Sequence, residues 1–147
     1  MFPLGSQPLD RNALRQYVDT ALAPLLAATP ARVSLSLRDL DGGIVLARQA
    51  DRQQPSASII KIPILLALLE AVAGGRYTLG QPLVLPACAD RAGGTGILAQ
   101  LPSVTTLSLA ELARLMIVLS DNVATNALIE LLGFDEINQW SQRAGLT

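Results

Sequence analysis

The sequence predicts an α+β fold: a helix and a β-hairpin, followed by a mostly helical region, in one domain spanning 1–147. Three observations carry this reading. Apolar residues recur at helical spacing over 10–28, residues 33–37 alternate strictly, and four later segments between 56 and 144 show helical start and stop signals. With half of its 147 residues apolar and 16% charged, the chain is rich and long enough to bury a core of its own.

The elements follow in order. Asp10 to Ala28 is a helix: Leu14, Tyr17, Val18, Ala21, Leu22 and Leu25 share a face and Asp10 is the cap. Val33 to Leu37 alternates as a half-buried strand does, Asp41-Gly42-Gly43 supplies a turn, and Ile44 to Ala47 returns as its partner. The helix and hairpin make up 10–50, and the helical region begins at 56. Ser58 to Val72, the most apolar stretch, is too long for a strand and stops at Gly74-Gly75. Residues 76–104, rich in Gly and Pro, read as a long loop with short elements at most. Ser108 caps a helix over Leu109–Leu119, with Glu111 at the capping-box position. Ser120-Asp121-Asn122 interrupts it. Val123 to Leu132 is helical again and stops at Gly133, and Asp135 to Ala144 forms a last short helix.

Composition excludes much. Without histidine there is no Ser-His-Asp triad and no His-ligated metal, and the single Cys88 can build neither a disulfide nor a metal cluster. No metal or cofactor is expected. A net charge of −1 offers no basic surplus for nucleic acid. The longest apolar run, Ile62 to Leu69, falls far short of the ~20 residues of a membrane span. Met1 to Gly5 shows no basic leader, so no signal peptide is read from this chain.

The chemistry concentrates at two places. Lys61 is the only lysine beside ten arginines and sits in an isoleucine-rich run at a helix start, where the macrodipole disfavours a cation. Unlike arginine, lysine can give up its proton when desolvated; the alternative is a side chain snorkelling to water. Ser58 lies three residues earlier, so one helical turn faces the two side chains together. A neutral lysine within reach can activate that hydroxyl; alternatively Ser58 or Ser56 merely caps the helix. The second place is Ser120-Asp121-Asn122, at a helix break. There a hydroxyl and a carboxamide can relay a proton and grip a carbonyl, or the three residues can serve only as caps. Ser-x-x-Lys arises by chance in roughly half of chains this long, but Ser-Asp-Asn in only roughly 2%, so the second motif decides how the first is read.

Ser58-Ile59-Ile60-Lys61 followed by Ser120-Asp121-Asn122 resembles the serine β-lactamase (class A-like) and penicillin-binding protein superfamily. The likeness continues through Gly93-Gly94-Thr95-Gly96-Ile97-Leu98, Val123 to Asn126, Leu131-Leu132-Gly133 and Ile137-Asn138, from about residue 14 onward. It implies a β-lactamase/transpeptidase-like fold present in its N-terminal part only, lacking the C-terminal strands. It also implies roles. Ser58 would be the acylated nucleophile, with its own N–H as half of the oxyanion hole. Lys61 would assist proton removal, and Ser120 would relay a proton to the departing nitrogen. Asn122 would bind the substrate's side-chain amide and fix Lys61, and Asp121 would be structural. Residues Gly93 to Leu98 would lie at the cleft rim. The small-molecule partner would be a β-lactam or a peptidoglycan-type peptide, and the location periplasmic or secreted.

The 147 residues contain no Lys-Thr-Gly motif, and Glu130 and Glu136 come too early to be the deacylating glutamate of class A enzymes. The expectation is therefore a fragment inactive by itself, whose open hairpin edge invites self-association or pairing with a C-terminal half. Three readings follow: a β-lactamase-like serine hydrolase, a D-Ala-D-Ala peptidase or penicillin-binding relative, and a non-catalytic binding or scaffold domain.

Overall fold

The computed structural model describes residues 10–38, 40 and 43–146. The chain divides into two compact units, 1–55 and 56–147, and each contains its own two-stranded antiparallel sheet.

In the first unit, helix α1 spans Arg11–Ala28. The Asp10 carboxylate caps it, accepting from the backbone N–H groups of Asn12 and Ala13 at 2.9 and 3.1 Å. Less of its apolar face is used than the periodicity suggests. Leu14, Val18, Leu22 and Leu26 form one half-buried row, whereas Tyr17, Ala21 and Leu25 are exposed. The element that α1 packs against in this unit is one short strand, Ile44–Arg48, a narrow surface beside that row. Strands β1 (Leu35–Arg38) and β2 (Ile44–Arg48) pair antiparallel, with Leu37 opposite Leu46 and an irregularity between Leu37 and Arg38. The first strand thus begins two residues later than the alternation suggests. Leu46 is buried, and Arg48 Nε donates to Asp19 at 2.9 Å, tying β2 to α1. Asp41 and Gly42 of the expected turn lie outside the described residues, as does the leader reading of Met1 to Gly5.

The second unit is built on α2 (Lys61–Ala73), entered through a 3-10 turn over Ala57–Ile60. The helix packs against α3 (Leu109–Val118), α4 (Asn122–Leu132) and α5 (Phe134–Arg143). Ile64, Leu68, Leu109, Leu112, Met116 and Leu128 are fully enclosed, each side chain contributing about 1.5–3 kcal/mol by burial. The capping box at α3 forms as expected. Ser108 Oγ accepts from Glu111 N, and the Glu111 carboxylate accepts from Ser108 N at 2.7 Å. Gly133, at φ +80°, makes the sharp passage from α4 to α5.

The 76–104 stretch is a loop with short elements, as the sequence suggests; one of them, β3 (Pro82–Val84), pairs antiparallel with β4 (Thr106–Ser108), giving a second sheet besides the hairpin. Three-residue strands brought together from distant points carry no alternation to read. Among the described residues, no helix is long and apolar enough to cross a membrane, and no group of three or more His, Cys, Asp or Glu side chains could hold a metal.

Candidate active site

The first turn of α2 faces the break between α3 and α4. In the 3-10 turn, residues three apart eclipse one another, which sets Ser58 and Lys61 on one side. Pro63 falls within the first turn of α2, where its missing N–H leaves no helical bond unmade. The surroundings of Lys61 invert the sequence picture. Ile59, Ile60 and Ile62 are 69%, 42% and 51% exposed, while Lys61 is only 6% exposed. The lysine stem is the inward-facing member of this run, and the isoleucines point away.

What surrounds the ammonium is polar. Lys61 Nζ donates to the backbone carbonyl of Ser120 at 2.6 Å, to Ser120 Oγ at 2.7 Å and to Asn122 Oδ1 at 3.2 Å, using all three of its donors. Ser58 is exposed, and its hydroxyl lies 2.8 Å from Ser120 Oγ. Ser58 and Lys61 share no direct hydrogen bond, so Ser120 Oγ stands between them. This differs from the direct serine–lysine contact that the three-residue spacing suggests. Neither Ser56 nor Ser58 caps the 3-10 turn by its side chain.

The tripeptide divides its labour. Ser120 adopts φ +54°, in the left-handed region that non-glycine residues rarely enter. Ala57, next to Ser58, does the same at φ +45°, so two strained residues flank the facing hydroxyls. Asp121 is fully buried and caps α4 through Ala124 N at 3.0 Å. Its other oxygen accepts from Ile97 N and Leu98 N at 2.7 and 2.9 Å. Asn122 closes the loop: its backbone N–H reaches Thr95 O at 2.9 Å, and Nδ2 reaches Gly93 O at 3.2 Å. That last bond directs Oδ1 toward Lys61. A Cβ at Gly96, at φ +118°, would run into the Asp121 carboxylate, so close approach requires glycine here. Thus 93–98, read from the sequence as a rim, grips Asp121 and Asn122 directly.

Other residues fall outside this cluster. Glu136 is paired with Arg76 and Glu130 is exposed. Cys88 is half-buried, with its thiol 3.4 Å from Ala99 O. A cavity of about 750 Å³ lies at the far end of α2 among Glu70, Arg76, Leu132, Phe134 and Arg143, and no candidate site residue lines it.

Known proteins give this geometry a family. A family model described as the beta-lactamase enzyme family matches residues 16–147. Among solved structures, a β-lactamase from Sphaerobacter thermophilus is 34% identical (TM-score 0.73), with 89% of this chain and 47% of that chain covered. PBP-A is 36% identical with a TM-score of 0.74, over 95% of this chain and 51% of that one. A mutant of PBP-A, solved as an acyl-enzyme complex with penicillin G, is 35% identical with a TM-score of 0.77, over 88% of this chain and 50% of that one. This chain therefore spans about half the length of these relatives. No curated protein matches the sequence. The architecture is the α+β, β-lactamase/transpeptidase-like fold, and the chain belongs to the beta-lactamase enzyme family.

Proposed function

We propose that this chain is the nucleophile-bearing part of a class A-like serine hydrolase that opens β-lactams through an acyl-enzyme on Ser58. The observation that carries the reading is the relay from Ser58 Oγ through Ser120 Oγ to Lys61 Nζ, with steps of 2.8 and 2.7 Å. A neutral Lys61 keeps two donors for Ser120 O and Asn122 Oδ1, leaving its lone pair for the Ser120 hydroxyl. As Ser58 Oγ attacks the lactam carbonyl carbon, its proton passes to Ser120 while the Ser120 proton passes to Lys61. The C–N bond then breaks, and the same path returns a proton to the departing nitrogen. The Ser58 N–H supplies one oxyanion donor, and Asn122 binds the substrate's amide.

Hydrolysis of the acyl-enzyme needs a deacylating base and a second oxyanion donor, and Lys-Thr-Gly is absent from these 147 residues. Losing one oxyanion donor costs about 10²–10³-fold, so this chain alone does not turn over. The β1–β2 and β3–β4 sheets are each two-stranded, which favours pairing with a C-terminal half or with a second copy. A second reading, a D-Ala-D-Ala peptidase that binds penicillin and releases it slowly, is supported by the 36% identity to PBP-A.

A fluorescent penicillin tests the reading. In the complete protein it should label Ser58, and Ser58→Ala should abolish the adduct; labelling mapped to another residue refutes it. Rapid loss of the adduct marks a β-lactamase, and a lasting one marks the peptidase. The 147-residue chain should hydrolyse a chromogenic cephalosporin only when a separately made C-terminal half is added. Sustained hydrolysis by the chain alone, lost in Ser58→Ala, overturns the mechanism.

A further inference from the structure

Four polar side chains are buried among the described residues: Lys61, Arg91, Asp121 and Thr125. Three of them belong to the Ser-Asp-Asn break, since Thr125 Oγ1 donates to Asp121 O at 2.6 Å. Arg91 lies 30 residues before Asp121 in sequence, and no carboxylate among the described residues is paired with it. A buried guanidinium without an acid is costly unless its donors are all used. Here backbone carbonyls replace the acid. Nε donates to Pro86 O at 3.0 Å, Nη1 to Leu98 O at 2.8 Å and to Leu101 O at 2.9 Å, and Nη2 to Val104 O. One side chain thereby gathers carbonyls from across 86–104, the segment with the least regular structure in the unit.

One of these carbonyls leads to the site. The backbone of Leu98 stands between two buried side chains: its C=O accepts from Arg91 and its N–H donates to Asp121. The adjoining residues Gly93 and Thr95 hold the Asn122 amide and backbone, and Asn122 Oδ1 meets Lys61. We propose that Arg91 is a positioning residue for this site, fixing the 93–98 segment so that Gly93 O and Thr95 O orient Asn122 toward Lys61. Arginine suits the task because its rigid fork serves several acceptors at once and cannot lose its charge. Lysine offers one point of charge and cannot span the same four carbonyls.

The inference rests on the proposed role of Ser58 and Lys61, and the experiment separates the two. Acylation of Ser58 by a fluorescent penicillin is timed in the complete protein, well below the unfolding midpoint, for the unaltered protein, Arg91→Met and Arg91→Lys. Both variants should acylate about tenfold or more slowly, since small misplacements of a reacting group carry penalties of that order. In an Asn122→Ala background the same substitutions should cost less than about twofold, because the path they act through is already broken. Ile137→Val, a core change on α5, serves as the control for stability alone and should give independent penalties. If Arg91→Met does not fold, Arg91→Lys carries the comparison. Penalties that simply multiply, or normal acylation in Arg91→Lys, overturn the positioning role while leaving Ser58 in place. Failure of the unaltered protein to be labelled overturns both.

Discussion

Asp121→Ala is the most telling single perturbation of the second unit. The Asp121 carboxylate is fully buried and accepts three backbone N–H groups, from Ile97, Leu98 and Ala124. Loss of the cap on α4 costs about 0.5–2 kcal/mol. The two bonds to the 97–98 peptides go to a charged acceptor and are worth about 1.5–3 kcal/mol each. Against this, the variant no longer buries a carboxylate, which recovers part of the sum. The expected net loss is about 3–5 kcal/mol, a large share of the ~5–15 kcal/mol of a typical domain. At about 2–4 °C per kcal/mol, the midpoint of thermal unfolding should fall by roughly 6–20 °C. Asp121→Asn should fall between, because it keeps an oxygen for Ala124 but presents a donor to two donors. Urea unfolding of the complete protein gives the free energies. A loss below about 1 kcal/mol for Asp121→Ala would show that the three bonds do not hold the loop to the helix break, and the account of the site's rigidity would fail.

Three further expectations follow from the observed contacts. Lys61→Arg keeps the charge but cannot supply a neutral amine, so acylation of Ser58 should slow by at least ~10²-fold. Ser120→Ala should cost about as much, since Lys61 meets Ser58 only through the Ser120 hydroxyl; near-normal acylation in that variant, timed with the same penicillin, would mean Lys61 reaches Ser58 directly. At α3, hydrogen bonds from the Ser108 hydroxyl and then its backbone N–H hold the Glu111 carboxyl below its ordinary pKa. A depressed acid stabilises the fold above its unfolded pKa and loses that contribution as pH falls through the folded value. The stability gap between the unaltered protein and Glu111→Gln should therefore be present at neutral pH and close in acid; an unchanged gap in urea titrations at both pH values would exclude the charged capping box as its source.

The parts of the fold that were legible in the sequence are those that local chemistry decides. Asp10, Ser108 with Glu111, and Gly133 mark helix ends by side chains that act within one turn, and each end lies within about two residues of its expected place. The β3–β4 pair was hidden because its pairing depends on contacts between 82–84 and 106–108, and nothing within either triplet announces them. The candidate site shows the same division. Ser58, Lys61, Ser120 and Asn122 stand together because two short motifs carry their own spacing, yet the order of contact between them is tertiary. Sequence spacing pointed Ser58 at Lys61; the left-handed turn at Ser120 inserts a hydroxyl between them.

Lys61 shows why hydropathy misleads at such a site. Its isoleucine neighbours suggested an ammonium driven into oil, yet they are the exposed members of the turn and the lysine is buried among oxygen atoms. The case for Lys61 as a base therefore rests on the relay of hydroxyls that reaches it rather than on apolar neighbours. A substrate amide arriving at Asn122 would meet the same Oδ1 that Lys61 Nζ reaches at 3.2 Å, which gives this residue both a binding and a positioning part. Asn122→Ala should therefore slow acylation of Ser58 both by penicillin and by small non-β-lactam acylating agents that offer no side-chain amide. A loss confined to penicillin would show that Asn122 only binds substrate.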